Sequence, residues 1–342
     1  MKKTLILLCL TSSILLSATN LSFLNKFQLE TYYHSNILKY SNDDEEEFKN
    51  SLNPEKYKID SLDDLVLGAR AQFGLKHRFF FGHTQLDKLV FKYNYYANNE
   101  VKNNVFVGAV LKQFLRKNFY LKFGYYYYPK IYIKQYKSVL DDSETYHEFS
   151  YAKNSYFAIL NFFPVSFLGV SYNFGFSQLF HNKYFTEFDA NVFRHKSGLK
   201  LNIPQNLAIG FYYEYKISDP RNNGIPENIE TEDASYESNV YSFVLLNSGF
   251  LKSGKFTVKL GTTIRLEERF YQTSNPTDKF HYAREDDILS IDSYVKIPCG
   301  NNFGIKLFYG YEIRQTDSPY EFVISAKEYS LYKTGLTIFF EK

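Results

Sequence analysis

The sequence predicts an all-β chain: a transmembrane, antiparallel, up-and-down β-barrel of about fourteen strands, with twelve or sixteen as the alternatives. Three observations predict it. Apolar and polar residues alternate along most of the chain, connections are long on one side and short on the other, and aromatic residues gather near strand ends. Among the 342 residues are 34 Phe and 32 Tyr with no Trp, an enrichment that favours strands.

The N-terminus bears on compartment. Lys2 and Lys3 precede an apolar run, Leu5 to Leu16, interrupted only by Thr11, Ser12 and Ser13, and the small residues Ser17 and Ala18 follow. That is the pattern of a secretory signal peptide over residues 1–18, too short to span a bilayer as a helix. Residues 19–342 then form a single barrel domain. Cys9 follows Leu7 and Leu8 rather than the small residues that lipidation needs. After cleavage only Cys299 is left, which excludes an internal disulfide and a Cys-based metal site. No later stretch approaches the roughly eighteen apolar residues of a membrane helix, but hydropathy averaging cancels along alternating strands. The net charge of +3 leaves no nucleic-acid footprint.

Each strand rests on a period of two. In Leu65 to Lys76, one face carries Leu65, Leu67, Ala69, Ala71, Phe73 and Leu75, and the other Arg70, Gln72 and Lys76. Leu207 to Ser218, Phe256 to Glu267 and Phe303 to Arg314 repeat the pattern over the ten to twelve residues that a tilted strand needs to cross a bilayer. The fourteen segments are 26–38, 63–76, 87–97, 104–115, 119–134, 148–162, 167–180, 185–203, 207–218, 238–247, 255–269, 286–297, 303–315 and 327–341. Pro129 interrupts the region 127–150, and 185–203 is long enough to hold a bulge.

Long polar connections follow odd strands: Tyr40 to Asp60, Gln135 to Tyr146, Asp219 to Glu237, Tyr271 to Glu285 and Thr316 to Glu321. Shorter ones follow even strands, such as Arg116 to Asn118 and Pro204 to Asn206. Two exceptions stand out, a short connection at His181 to Tyr184 and a long one at His77 to Leu86. One-sided loops of this kind place both termini in the periplasm. Only residues 19–25 precede the first strand, which leaves no room there for a plug. Tyrosines such as Tyr125 to Tyr128 and Tyr309/Tyr311 collect at one depth, and Phe162/Phe163 and Phe339/Phe340 at the other, as in interfacial girdles. A soluble barrel would turn the apolar face inward, yet about eight strands is the limit its side chains can fill.

With this architecture the chain resembles bacterial outer-membrane β-barrels of the general porin-like class, over essentially all of residues 19–342. The last strand, Tyr332 to Phe340, resembles the C-terminal signal read by the barrel-assembly machinery, although Glu341 and Lys342 follow the aromatic pair. The resemblance implies an outer-membrane location, contact with lipid and lipopolysaccharide, and passive diffusion of small hydrophilic solutes. The alternative is a closed barrel acting as a surface adhesin, receptor or structural anchor through acidic outer loops.

The inward-facing residues are the candidate functional surface. The basic ones are Arg70, Lys76, Lys92, Lys112, Lys122, Lys200, Lys216, Lys259, Arg265, Lys296, Lys306, Arg314 and Lys333. The acidic ones are Glu30, Glu187, Asp189, Glu214, Glu267, Asp292 and Glu312. The basic excess predicts an anion-leaning lumen, against the alternative of a wall of cross-strand ion pairs without selectivity. Asp43, Asp44, Glu45, Glu46 and Glu47 form one acidic loop cluster, and Glu227, Glu230, Glu232 and Asp233 another. Oxygen-rich loops can hold Ca²⁺, but neither spacing matches a calcium loop, so both are expected to be solvated and no metal or other cofactor is expected. His34, His77, His83, His147, His181, His195 and His281 fit no phospholipase-type element, and no zinc motif, phosphate loop or nucleophile elbow occurs, so no enzyme is expected.

Overall fold

The computed structural model describes residues 19–79, 82–138, 145–221, 233–253, 256–300 and 302–342. Residues 1–18, with Cys9, for which a signal peptide is expected, and the acidic residues Glu227, Glu230 and Glu232 lie outside them. The first five strands are β1 (Thr19–His34), β2 (Asp64–Phe79), β3 (His83–Tyr96), β4 (Asn104–Arg116) and β5 (Phe119–Lys137). Next come β6 (Tyr146–Val165), β7 (Leu168–His181), β8 (Ala190–Ile203), β9 (Leu207–Pro220) and β10 (Tyr236–Ser253). The wall is completed by β11 (Phe256–Tyr271), β12 (Glu285–Pro298), β13 (Phe303–Asp317) and β14 (Tyr329–Glu341). Two short helices, α1 (Asn42–Lys49) and α2 (Glu321–Lys327), lie in the connections after β1 and β13.

Every strand pairs antiparallel with its sequence neighbours, and β1 pairs with β14, so the sheet closes on itself with fourteen strands. The closing register runs from Lys26 opposite Glu341 to His34 opposite Lys333. Successive side chains alternate between the two faces. On the convex face stand large apolar residues, with Phe211 53% and Leu307 48% exposed, while Val66 and Val240 on the concave face are buried. Ile209, Phe211, Val258, Leu260, Ile305 and Leu307 share the convex parity; Lys216, Lys259, Arg265 and Lys306 share the other. Side chains that reach past a neighbouring strand identify the inner side independently. Lys92 on β3 meets Glu30 on β1 at 3.3 Å, and Lys216 on β9 meets Glu267 on β11 at 2.6 Å. Strands two apart are separated by about 9.5 Å along the sheet, so such pairs form only where side chains converge, inside the curve.

Several boundaries differ from the sequence reading for identifiable reasons. β1 begins at Thr19, so residues 19–25 are part of the wall. Most of the expected long connection His77 to Leu86 is strand, because β2 runs to Phe79 and β3 starts at His83. Conversely the short connection at His181 extends to residue 189, since β8 starts only at Ala190. Both exceptions to the one-sided loop pattern thereby disappear. Pro129 is absorbed within β5 by a register shift between Tyr128 and Ile131; a residue without an N–H fits a bulge, where the ladder is already broken.

The face assignment makes a direct test. Leu307→Arg should cost about 2–4 kcal/mol in equilibrium unfolding if the position lies near the bilayer midplane, whereas Lys306→Gln should leave stability nearly unchanged. With Cys299 replaced by Ser, a cysteine at 306 should react with a water-soluble maleimide and one at 307 should not. The reverse labelling would mean that the apolar face looks into water.

Candidate functional site

The concave face is built from alternate residues of all fourteen strands. It carries Arg70 and Lys76 of β2, Lys92 of β3, Lys112 of β4, Lys122 of β5, Lys200 of β8, and Glu214 and Lys216 of β9. On the other side stand Lys259, Arg265 and Glu267 of β11, Asp292 and Lys296 of β12, Lys306, Glu312 and Arg314 of β13, Lys333 of β14 and Glu30 of β1. Glu187 and Asp189 are not on a strand at all. They occupy the 3-10 turn Thr186–Phe188 and the residue after it, where both are buried and Asp189 accepts from the His181 backbone N–H at 2.5 Å. The expected strand 185–203 failed at its start because the chain first turns inward on Phe185, which is buried against Phe149. Lys88, Arg194, Lys196 and Arg269 also face inward and were missed. Carrying the alternation back from Lys200 through β8, or from Lys92 through β3, finds the first three.

Register decides how these charges meet. Direct cross-strand partners include Arg70 with Lys92, Lys112 with Lys122, Arg194 with Lys216, Lys259 with Lys296, and Lys296 with Lys306. Like charges directly opposite one another repel. Opposite-charge partners in the same rows are fewer: Lys26 with Glu341, Lys196 with Glu214, and Arg269 with Asp286. The inner acids are also heavily engaged. Glu267 is met by Lys216 at 2.6 Å, Arg265 at 2.5 Å and Arg269 at 2.9 Å. Asp286 is met by Arg314 at 2.6 Å and by Arg284, from the connection after β11, at 3.0 Å.

The connection after β1 is folded into the mouth rather than solvated. Ile37, Leu38, Tyr40 and Tyr57 form a buried cluster with Tyr132 of β5, flanked by Phe48, Ile59, Leu62, Tyr96 and Val101. Asn36 clamps the backbone of Tyr40, donating to its carbonyl and accepting from its N–H, both at 2.8 Å. Ser41 then caps α1 by accepting from the Asp44 N–H at 3.1 Å, and Asp43, Asp44 and Glu45 in the first turn suit the positive end of the helix dipole. From this helix Asp44 reaches Lys134 on β5 at 3.0 Å and Lys56 at 2.8 Å. Glu47 accepts from Lys56 and from the Tyr57 hydroxyl. On the far side Lys39 pairs with Glu312 on β13 at 2.6 Å. Around the ring the order is β13-β14-β1-β2-β3-β4-β5, so the connection ties together strands nearly half a circumference apart. The carboxylates expected to be solvated are thus partly consumed by lysines, with Asp43 and Glu46 left exposed. Among the described residues no group of three or more His, Cys, Asp and Glu is placed to hold a metal.

Burial disfavours the charge on Asp44, but Lys134 and Lys56 outweigh it and hold the carboxyl below its ordinary range. Lys102, in the 3-10 turn Glu100–Lys102, donates to the Tyr132 carbonyl at 2.7 Å. Burial, reinforced by Lys39, Lys134 and Lys333, lowers it to about 7. Further across the mouth, α2 lies against α1. A cavity of about 320 Å³ opens between the ends of β5 and β6 and the loops after β7, β9, β11 and β13, lined by Tyr136, Phe149, Phe185, Phe188, Phe280 and Lys327 among others.

No protein-family model and no characterised protein sequence matches this chain. Solved structures do. The loop L8 deletion mutant of OmpT, an outer membrane protein of Vibrio cholerae, has a TM-score of 0.50 at 10% identity, covering 94% of this chain and 99% of that one. An anion-selective porin from Comamonas acidovorans has 0.44 at 7% identity, and OccAB3 of Acinetobacter baumannii 0.43 at 11%, each covering 94% of this chain and 99% of the other. The first likeness speaks for fold alone: this chain has the fold of an outer-membrane β-barrel.

The Asp44–Lys134 tie can be tested by pH and by substitution. A carboxyl held below its ordinary value stabilises docking above that value, and the contribution is lost as pH falls through the lowered one. Acidification should therefore expose loop 35–63 to protease while the barrel stays folded. Asp44→Asn should loosen the loop at neutral pH by about 1–3 kcal/mol, and Asp43→Asn, at an exposed position, should not. Equal protection of the loop in the wild type and Asp44→Asn would show that the tie does not hold it.

Proposed function

We propose that the protein is an outer-membrane channel for the passive diffusion of small hydrophilic solutes, with a preference for anions. The single observation behind the preference is the register of the inner charges. A wall stabilised by ion pairs would set acid against base across strands, whereas here lysine and arginine face one another repeatedly. Such a wall keeps uncompensated positive potential in the lumen and concentrates anions there. In this reading the end with the long connections faces outward and both termini lie in the periplasm. The connection after β1 narrows the entrance, and the C-terminal strand carries the assembly signal.

A closed barrel that displays its loops to a partner is the second reading. The connection crossing from β13 to β5 is the observation in its favour.

Planar bilayers under a KCl gradient decide between them. The channel reading expects conductance steps and a reversal potential of the sign that marks chloride as more permeant. Lys112→Glu combined with Lys122→Glu should move that potential toward cations. As pH rises through about 7, Lys102 gives up its proton, so anion preference should weaken over that interval, and Lys102→Gln should remove the step. Absence of conductance in any salt would favour the closed barrel, and cation preference would reject the basic-lumen reading.

A further inference from the structure

We infer that the favoured solutes are ring-bearing polyvalent anions, aromatic carboxylates or phosphates, held on the inner wall formed by β2 to β6. The inference rests on the channel reading and adds a solute class to it.

Four cations carry the charge. Arg70, Lys88, Lys112 and Lys122 stand on β2, β3, β4 and β5, each with inward parity. Lys122 lies within electrostatic reach of Lys88 and Arg70, and Lys112 within reach of Lys122 and Lys88. None of the four has an acidic partner among the described residues. Glu267, Asp286 and Glu312 belong to β11, β12 and β13 across the lumen, and the acid at this wall, Glu30 of β1, is engaged by Lys92 at 3.3 Å. A single monovalent ion meets one or two of these charges, whereas one solute with two or three negative groups can engage most of the cluster at once.

Aromatic rings run along the same wall. Tyr128 and Phe106 have centroids 5.1 Å apart, Phe106 and Tyr126 5.6 Å, and Tyr126 and Phe157 5.5 Å. Two of these rings lie flat against the sheet over glycines. A Cβ on Gly108 would run into Tyr126, and one on Gly124 into Phe157. A ring laid over its neighbour's glycine offers the lumen a face rather than an edge, and all four rings remain partly exposed there. The ladder leads to the cations. Lys122 lies 5.2 Å from the Phe157 centroid, and Lys112 lies 3.6 Å above Tyr120. Ring faces accept flat π-systems by offset stacking, so a solute with a ring and several charges meets a surface for each part. An aliphatic polyanion meets only the charges, and a neutral aromatic only the rings.

The mouth repeats the combination. The cavity of about 320 Å³ has Phe149, Phe185, Phe188 and Phe280 in its wall beside Lys137 and Lys327, with one carboxylate, that of the buried Glu187, set against the two lysines. That volume suits a small ligand of one or two rings.

Binding is measured first without a membrane, by titration calorimetry on the full-length protein folded in detergent. Trimesate, a benzene ring bearing three carboxylates, is compared with tricarballylate, the same three groups on a propane chain, at a pH where both are fully ionised. Trimesate is expected to bind about ten-fold tighter. Lys112→Gln with Lys122→Gln should weaken both probes, and Phe106→Leu should weaken trimesate alone. Equal affinity of the unaltered protein for the two probes overturns the inference, whatever the variants do. So does trimesate binding that ignores the lysine substitutions. Bilayer recordings then separate the two ideas. An anion-conducting channel blocked equally by both probes keeps the channel and rejects the ring-bearing solute. Selective trimesate binding with no conductance keeps the site and rejects the channel.

Discussion

In hydrocarbon an unpaired backbone N–H or carbonyl costs several kcal/mol, and a sheet can avoid that cost only by having no edge. The pairing of β1 with β14 meets that requirement here, and the rest of the structure depends on it. Closure with fourteen strands makes the interior too wide to fill with side chains, which frees the concave face to be polar and obliges the convex face to be apolar. It also confines irregular backbone to the two ends. The closing seam carries its own fastening: Glu341, just beyond the aromatic pair Phe339 and Phe340, reaches both Lys26 on β1 and Lys296 on β12. With Lys26 32%, Lys296 27% and Glu341 43% exposed, the contribution is small beside that of the backbone ladder.

The wall was legible in the sequence because its two faces lie in different media. A segment such as Leu207 to Ser218 has to alternate if lipid is on one side and water on the other, and all fourteen strands could be read in that way. Legibility ended where a third environment begins. Ile37 and Leu38 were read as the end of the first strand, 26–38, but β1 stops at His34 and their burial depends on Tyr132, nearly a hundred residues later. The helix at Asn42–Lys49 has one apolar residue, Phe48, so no amphipathic repeat announced it. Ser41, three residues before Asp44 and ahead of an acidic turn, was the available signal. Glu187 and Asp189 were misplaced for the same reason, since the inward turn on Phe185 is a tertiary event. The inner charges could be named one by one from parity, but which of them face each other is a matter of register. Composition does not contain register, and a slip of one residue would reverse it.

Two kinds of stability coexist in the molecule. The wall gains from lipid on its convex face and from an unbroken ladder, and has little hydrophobic core of its own. The connection after β1 has a small core with buried rings, a capped helix and ion pairs to β5 and β13. A loop anchored at both sides of the mouth can come loose without disturbing the ladder beneath it, because the ladder is made strand to strand and the connection meets it only at its margin, where Ser35 bonds the backbone of Tyr332. Local opening of that kind belongs to the low end of a protein's range of unfolding free energies.

The rows of facing lysines have a thermodynamic corollary. A ring of mutually repelling charges is more stable when something of opposite sign stands between them, so whatever anion occupies the lumen binds the closed barrel and not the open chain. By mass action that occupant stabilises the closed form in proportion to the logarithm of its concentration. Anion binding and folding are then linked quantities. The ions present while the last strand finds the first take part in shutting the barrel, and a lumen rich in polyanions makes the wall itself harder to unzip.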